Sequence, residues 1–368
     1  MELSLYIHIP FCAGKCDYCD FYSIAADSKI LNRKEFLNIL IKEINYQIDY
    51  FNVKNIPTVY IGGGTPSVLG KDIKIIFDAL KKIPAFTPIE FTVEANPESL
   101  TEEFLDICKE GGVTRLSIGV QTFYDPSRLS VNRAGNAAIT EKALSLASKY
   151  YPDTLSADLI TGFPFHTKEI VAEDIKRLLD FNPASVSVYS LTVEDQTKLY
   201  KNLKEGKFSL PKTETADKLW LTARDMLIDN GYGHYEVSNF AKQGGQCIHN
   251  IRYWRMRGWM GAGPAASGTV IDYEKEKAVR YTNAPDLEAY LKNTQDSKEQ
   301  LVINKEELLK EVLLMGYRYC EGPAPEWGVE KYIQKTLEKW KDKDKMLFLN
   351  NFLLDAFGEL GNNDISNL

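Results

Sequence analysis

The stretch LSLYIHIPFCAGKCDYCDF, residues 3–21, decides how the chain is read. It opens as an apolar run of strand character and empties into a short loop that carries Cys12, Cys16 and Cys19. Cysteine thiolates hold iron–sulfur clusters, and a cubane [4Fe-4S] cluster ordinarily takes four of them. Three protein ligands leave one iron open to a chelating small molecule. A structural zinc site is the competing reading; it closes with four protein ligands, usually as two separated pairs, and His8 is the only nearby fourth donor. A disulfide framework fits less well, because Cys108, Cys247 and Cys320 stand singly and no secretory pattern opens the chain. Those three read as small buried hydrophobes.

Working outward, short β-branched runs alternate with longer stretches of helical period up to about residue 230. Strands are expected at Leu3 to Ile9 and from Thr58, Glu90, Arg115, Thr154 and Ser185. Helices are expected at Arg33 to Tyr50, Asp72 to Lys82, Thr101 to Glu110, Thr140 to Tyr150, Glu169 to Asp180 and Thr215 to Asn230. Such βα units build a parallel sheet, so the fold class is α/β: a partial (β/α)6 TIM-like barrel over residues 1–231. Ligands of such sheets bind at the carboxyl ends of the strands. That rim would collect the cysteines, Gly62 to Gly64 with Thr65, Glu94 with Asn96, Gln121, Asp158 and Tyr189.

Residues 232–368 change in character and are read as a smaller α+β C-terminal domain. Gly, aromatic and Arg residues crowd Gly244 to Gly268, and a charged linker, DYEKEKAVR, follows. Helices are expected at Lys305 to Tyr319 and Glu330 to Trp340, and the tail MLFLNNFLLDA reads as a small strand pair.

With 368 residues, 44% hydrophobic and 26% charged, the composition is that of an ordinary globular protein. Its longest apolar runs fall far short of the roughly 20 residues that span a bilayer, so a cytoplasmic protein without a membrane span is expected. A net charge of -7 with mixed signs argues against nucleic acid as the main partner.

The cysteine loop with its aromatic Tyr18 resembles the radical S-adenosylmethionine (SAM) superfamily. YIHIPFCAGKCDYCDF and GGGTPS, followed in order by VEANP, SIGVQTF, DLITGFP, EVSNFA and HNIRYW, are similar to its oxygen-independent coproporphyrinogen III oxidase-like branch. The resemblance implies that Cys12, Cys16 and Cys19 bind a [4Fe-4S] cluster and that SAM chelates the open iron. It also implies that Tyr6, Tyr18, Gly63, Gly64, Thr65, Glu94, Gln121, Arg133 and Asp158 contact SAM. The residue types agree with this: glycine lets backbone approach a ligand, carboxylates accept from an ammonium or a ribose hydroxyl, and Arg133 can pair with a carboxylate.

Two functions compete within the branch: a haem chaperone that passes haem to apoproteins, and a coproporphyrinogen III dehydrogenase, which would make the chain an oxidoreductase. Three features favour the chaperone: Phe21 where the dehydrogenase has a further cysteine, only eleven residues before Cys12, and His249-Asn250-x-x-Tyr253-Trp254, which resembles a haem-binding HNxxYW motif. His249, Tyr253 and Trp254 are then the haem residues; the lesser alternative is that His249 and Tyr253, four apart, merely pack a helix or turn against the barrel. The implied partners are haem or porphyrin, recipient haem apoproteins and an electron donor. Departures from the family pattern occur at Asn132-Arg133-Ala134-Gly135, where Gly-Arg-x-His is common, at Ser267 in place of a histidine, and at His166 in place of a glutamine.

Overall fold

Each of the six expected strands forms. In the computed structural model, which describes residues 1–26, 33–292 and 299–362, they are β1 (Ser4–Ile9), β2 (Ile56–Gly63), β3 (Phe86–Ala95), β4 (Arg115–Gln121), β5 (Leu155–Thr161) and β6 (Ser185–Ser190). Neighbours pair in parallel all the way across, with Tyr6 beside Tyr60, Tyr60 beside Thr92, Glu94 beside Ser117 and Asp158 beside Ser187. The strands are almost wholly buried, as expected where helices cover one face and the curl of the sheet closes over the other.

The crossover helices follow the punctuation in the sequence. They are α1 (Arg33–Tyr50), α2 (Ile73–Leu80), α3 (Glu102–Gly111), a short α4 (Asp125–Ser130), α5 (Ala137–Tyr150), α6 (Lys168–Leu179), a short α7 (Lys198–Lys204) and α8 (Thr213–Asp229). In α2 the buried residues Ile73, Ile76, Phe77 and Leu80 recur at helical spacing and face the sheet. α3 starts where the Thr101 side chain accepts the Phe104 N–H, and it stops at Gly112, whose φ of 88° suits only glycine comfortably.

Beyond residue 231 the strands do not form a sheet of their own. β7 (Gly233–Glu236) and β8 (Asn239–Ala241) form a hairpin that adds to β6. On the opposite edge, β9 (Trp259–Ala262) pairs in parallel with β1, and β10 (Ser267–Asp272), β11 (Lys277–Thr282) and β12 (Glu299–Ile303) extend it antiparallel. One twelve-stranded sheet results, in the order β12-β11-β10-β9-β1-β2-β3-β4-β5-β6-β8-β7. Between β8 and β9 lies α9 (Ile248–Trp254), and α10 (Leu287–Lys292) follows β11.

Three expectations are corrected here. The segment read as a charged linker is the β10–β11 hairpin: only residues 273–276 turn, while Ala278 and Tyr281 are buried. The tail read as a strand pair is a helix, α13 (Leu349–Asn362), because Leu349, Phe352, Leu353, Ala356 and Leu360 make one apolar face. That face meets Leu308, Val312 and Leu313 of α11 (Lys305–Gly316) in a second core, distinct from the one under the barrel helices. Helix Glu330 to Trp340 is broken at Ile333, which leaves the helical region (φ -131°), so only α12 (Gln334–Lys339) remains. Among the described residues no helix is long and apolar enough to cross a membrane.

Candidate cluster and cofactor site

The cysteine loop is stitched down on every side. Phe11 is buried against Phe36, with ring centroids 5.0 Å apart, and Phe11–Cys12 pairs with Ile24–Ala25. The Cys19 N–H closes a turn onto the Cys16 carbonyl at 3.1 Å, and the Asp17 N–H donates to the Val131 carbonyl at 2.9 Å. The buried Asp17 carboxylate accepts from Lys198 (3.0 Å) and Asn202 (2.9 Å) of α7. The three thiols are thereby held at the carboxyl end of β1, where the sequence places them.

Burial pushes the Cys12 and Cys19 thiols up, and the neighbouring thiols add to this. Positive charge nearby offsets that rise. Arg133 supplies some, with its Nη1 3.8 Å from Cys16 Sγ. Among the described residues no three His, Cys, Asp or Glu side chains converge on a single ion; cluster ligands need no such convergence, because each thiolate holds a separate iron. The donor set fits a cluster.

The glycine loop after β2 docks onto the same strand. Gly64 N–H donates to the Ile9 carbonyl at 2.8 Å, and Thr65 N–H to the Phe11 carbonyl at 2.7 Å. A Cβ on Gly64 would lie 2.7 Å from the Phe11 oxygen, so only glycine allows this approach. Thr65 Oγ1 then sits 3.3 Å from Cys12 Sγ and accepts from Asn96 Nδ2 at 2.8 Å. Asn96 in turn accepts from Arg133 Nη2 at 2.9 Å, and the same nitrogen donates to the Gly119 carbonyl. Arg133 Nε is buried without a partner among the described residues. Asn96 is thus the hub that the sequence places on the rim without a role. Gln121 ends β4 with a φ of 69°, and Tyr18 lies on Phe163 with centroids 5.3 Å apart.

Below the mouth, the barrel interior is polar. Tyr60 hydroxyl donates to Glu94 Oε1 at 2.7 Å and Gly63 N–H to Oε2 at 3.3 Å, yet burial pushes the Glu94 carboxyl up to about 7. Burial raises Asp158 too, against hydrogen bonds from Ser117 and Ser187. Tyr6, half-buried beside Glu94, bonds His8 Nδ1 at 3.1 Å. Glu94, Asp158, Ser117 and Ser187 help line a cavity of about 50 Å³. Among the described residues neither carboxyl has a cation at bonding distance, and that suits a ligand that brings hydroxyls or positive charge.

His249, Tyr253 and Trp254 do not join this mouth. They lie on α9, which covers the opposite end of the barrel. His249 is fully buried; its Nδ1 bonds Thr58 Oγ1 at 2.8 Å and its Nε2 bonds the Tyr253 hydroxyl at 2.7 Å. Burial, with Arg252 second, pushes its pKa down to about 3. Trp254 packs between Tyr235 and Tyr319. Glu90 and Arg115, neither singled out in the sequence, anchor this end: Glu90 accepts the His249 N–H at 2.8 Å, and Arg115 donates to the Gly245 carbonyl at 2.9 Å. Their position in inward-facing alternation was the available signal. Arg252, Arg255 and Arg257 pair with Glu2, Glu321 and Glu326. Cys108 and Cys247 are buried as expected, but Cys320 is exposed, because it follows α11 on a surface turn.

The comparisons agree with this geometry. The pattern of the radical SAM superfamily matches residues 6–178. The heme chaperone HemW of Lactococcus lactis is 31% identical, covering 98% of this chain and 95% of the relative, and that of Bacillus subtilis is 32% identical, covering 89% and 86%. Among solved structures, the coproporphyrinogen III oxidase HemN of Escherichia coli, a radical SAM enzyme, superposes with a TM-score of 0.80 at 20% identity, over 96% of this chain and 90% of that one, which is a likeness of fold. The chain belongs to the radical SAM superfamily and, within it, to the family of the HemW proteins.

Proposed function

We propose that this protein is a cytoplasmic haem chaperone that holds one [4Fe-4S] cluster and one SAM. The observation that carries the reading is the three-thiol loop facing two buried carboxyls across a glycine cradle, in a chain whose relatives are named heme chaperones. Cys12, Cys16 and Cys19 would hold three irons. Tyr6, Tyr18, Gly63, Gly64, Thr65, Glu94, Gln121, Arg133 and Asp158 would surround SAM. A reduced cluster supplies one-electron cleavage of the SAM sulfonium when both are bound. The protein's own contribution is electrostatic: Arg133 offsets thiolate charge at Cys16, Glu94 and Asp158 accept from ammonium or hydroxyl groups, and the loop contacts exclude water. Residues 1–231 form the cluster and SAM unit, and residues 232–368 form the C-terminal unit. Haem, recipient haem apoproteins and an electron donor are the partners.

The test is a paired assay on anaerobically reconstituted protein. Tight haem binding with transfer to an apo-haemoprotein is expected, with no vinyl product from coproporphyrinogen III in the presence of SAM and reductant. Vinyl product would overturn the chaperone reading in favour of the dehydrogenase.

A further inference from the structure

The chain has four histidines, and three have bonded rings. His8 bonds Tyr6 and the Tyr22 carbonyl, His234 bonds the Val237 carbonyl, and His249 uses both ring nitrogens on Thr58 and Tyr253. His166 is different. It is only 6% exposed, yet neither Nδ1 nor Nε2 has a partner among the described residues. A neutral imidazole carries one donor and one acceptor, and leaving both buried and unmet is rare enough to need an explanation. Burial alone, with no charged neighbour contributing, pushes its pKa down to about 4, so the ring is neutral and its lone pair is free.

The residue sits in the turn between β5 and α6, on the same rim as the cysteines. Phe163 packs against Tyr18 of the cysteine loop and, edge-on, against His166 with centroids 5.4 Å apart. The adjoining Phe165 is 56% exposed and holds a φ of 69°, a strained conformation for a bulky residue. α4 is tied to this turn by the Ser127 hydroxyl, which donates to the Pro164 carbonyl at 2.5 Å, and α4 presents Leu129, 77% exposed. Phe21, two residues after Cys19, is 69% exposed. Phe165, Leu129 and Phe21 are thus large apolar side chains left bare on segments joined to the cysteine loop or to the turn that packs on it, and bare apolar surface of that kind suits a flat apolar ligand.

We propose that haem docks at this cysteine-bearing mouth with its iron ligated by His166, its apolar ring resting on Phe165 and Leu129. The assignment rests on the haem reading above and locates the cargo at the opposite end of the barrel from α9. Ligation requires the 163–167 turn, in which Phe165 holds a φ of 69°, to shift so that an imidazole nitrogen reaches the iron. A neutral imidazole among aromatic side chains is a good haem ligand because no proton has to be displaced before the iron binds.

The experiment uses the full chain with its cluster reconstituted, so that the three thiols are occupied, and titrates it with ferric haem. The wild-type chain is expected to give a Soret band and, after reduction under carbon monoxide, the ferrous–CO signal of a histidine-ligated haem. His166→Ala should lose that signal and bind haem about tenfold or more weakly, and free imidazole added to His166→Gly should restore it. Iron content and a thermal melt report whether each variant folds; should His166→Ala fail, His166→Gln preserves the volume without offering a strong iron ligand. A wild-type complex whose spectrum and affinity survive in H166A or H166Q overturns the ligand assignment, as does a signal lost only in H249Q. No complex at all with the wild-type chain overturns the haem reading itself.

Discussion

Arg133 and Glu94 work on the same mouth with opposite charge, and what each does depends on ligands that bring charge with them. Arg133 bridges Asn96 and the Gly119 carbonyl and comes within 3.8 Å of Cys16 Sγ. Cys16 is the most buried of the three loop thiols. Its replacement by alanine removes one of three anchors, and no nearby thiol takes over, since Cys108 lies in the core under the barrel helices. We expect anaerobically reconstituted Cys16→Ala to fall well below the roughly four irons per chain of a cubane; full iron retention in that variant would sink the ligand assignment. Glu94 sets a pH dependence. With its carboxyl raised to about 7, half of it is protonated near neutrality in the free protein. An ammonium or a hydroxyl donor binds the carboxylate better than the acid, so SAM affinity should rise with pH through 7, by up to about tenfold per unit below it. Calorimetry at pH 6 and pH 8 tests this, and Glu94→Gln should both weaken binding and flatten the slope. The cysteines, the glycine loop, Asn96 and Gln121 were legible as one rim, because residues at the ends of parallel strands share an edge whatever the loops do, but Asp158, expected near the end of its strand, lies inside β5 and below that edge. What stayed hidden was the wiring: which side chain Asn96 would join, and that His166 would be buried with nothing to bond.

At the scale of elements, β1–β6 and their helices were readable because short β-branched apolar runs, buried on both faces, alternate with stretches of period 3.6. The hairpin β10–β11 was not: its turn carries so much charge that it masks the short strands on either side. α13 was missed because MLFLNNFLLDA supports either period until its buried face is extended to Leu360. α9 was seen as a motif and not as a plug. Its N–H groups at Ile248 and His249 are held by Glu90, and His249 joins it to Thr58 of β2. Removing that ring leaves a cavity and unmet partners at Thr58 and Tyr253, at a cost of about 2–4 kcal/mol. We therefore expect His249→Ala to lower the urea midpoint markedly. The pH dependence has a definite sign. The folded pKa is depressed to about 3 from 6.5, so the unfolded chain takes up the proton first, and the stability contributed by His249 is present above pH 6.5 and lost as pH falls toward 3. Wild type should therefore lose more stability than His249→Gln on going from pH 7 to pH 5. An equal loss in both would show that the ring is not held neutral as its contacts require.

The whole molecule turns on where β1 lies. It opens the barrel in sequence but stands in the interior of the twelve-stranded sheet, with β2 on one side and β9 on the other. Register pairs Ser4 with Trp259 and Ile7 with Ala262, so the strand that delivers the cysteine loop is hydrogen-bonded along its outer edge by residues from the far half of the chain. Glu43 of α1 deepens the dependence: it accepts from Gly263, Asn283 and Tyr290, all beyond residue 231. Two cores exist, but the sheet between them is continuous, so division of labour at residue 231 need not mean independent folding. A chain cut after residue 231 would expose the backbone of β1, leave Glu43 buried among lost partners and open the barrel end that α9 covers. Unpaired strand edges of that length invite aggregation, and a buried carboxyl that loses three of its donors is costly. The expected outcome is that residues 1–231 alone are aggregated or molten by size-exclusion chromatography and near-UV circular dichroism, and take up little cluster. A monomeric fragment with a sharp thermal transition and about four irons would show instead that β1 needs no neighbour from the second half, and that the continuous sheet is an accident of docking rather than the frame that holds the cysteines in place.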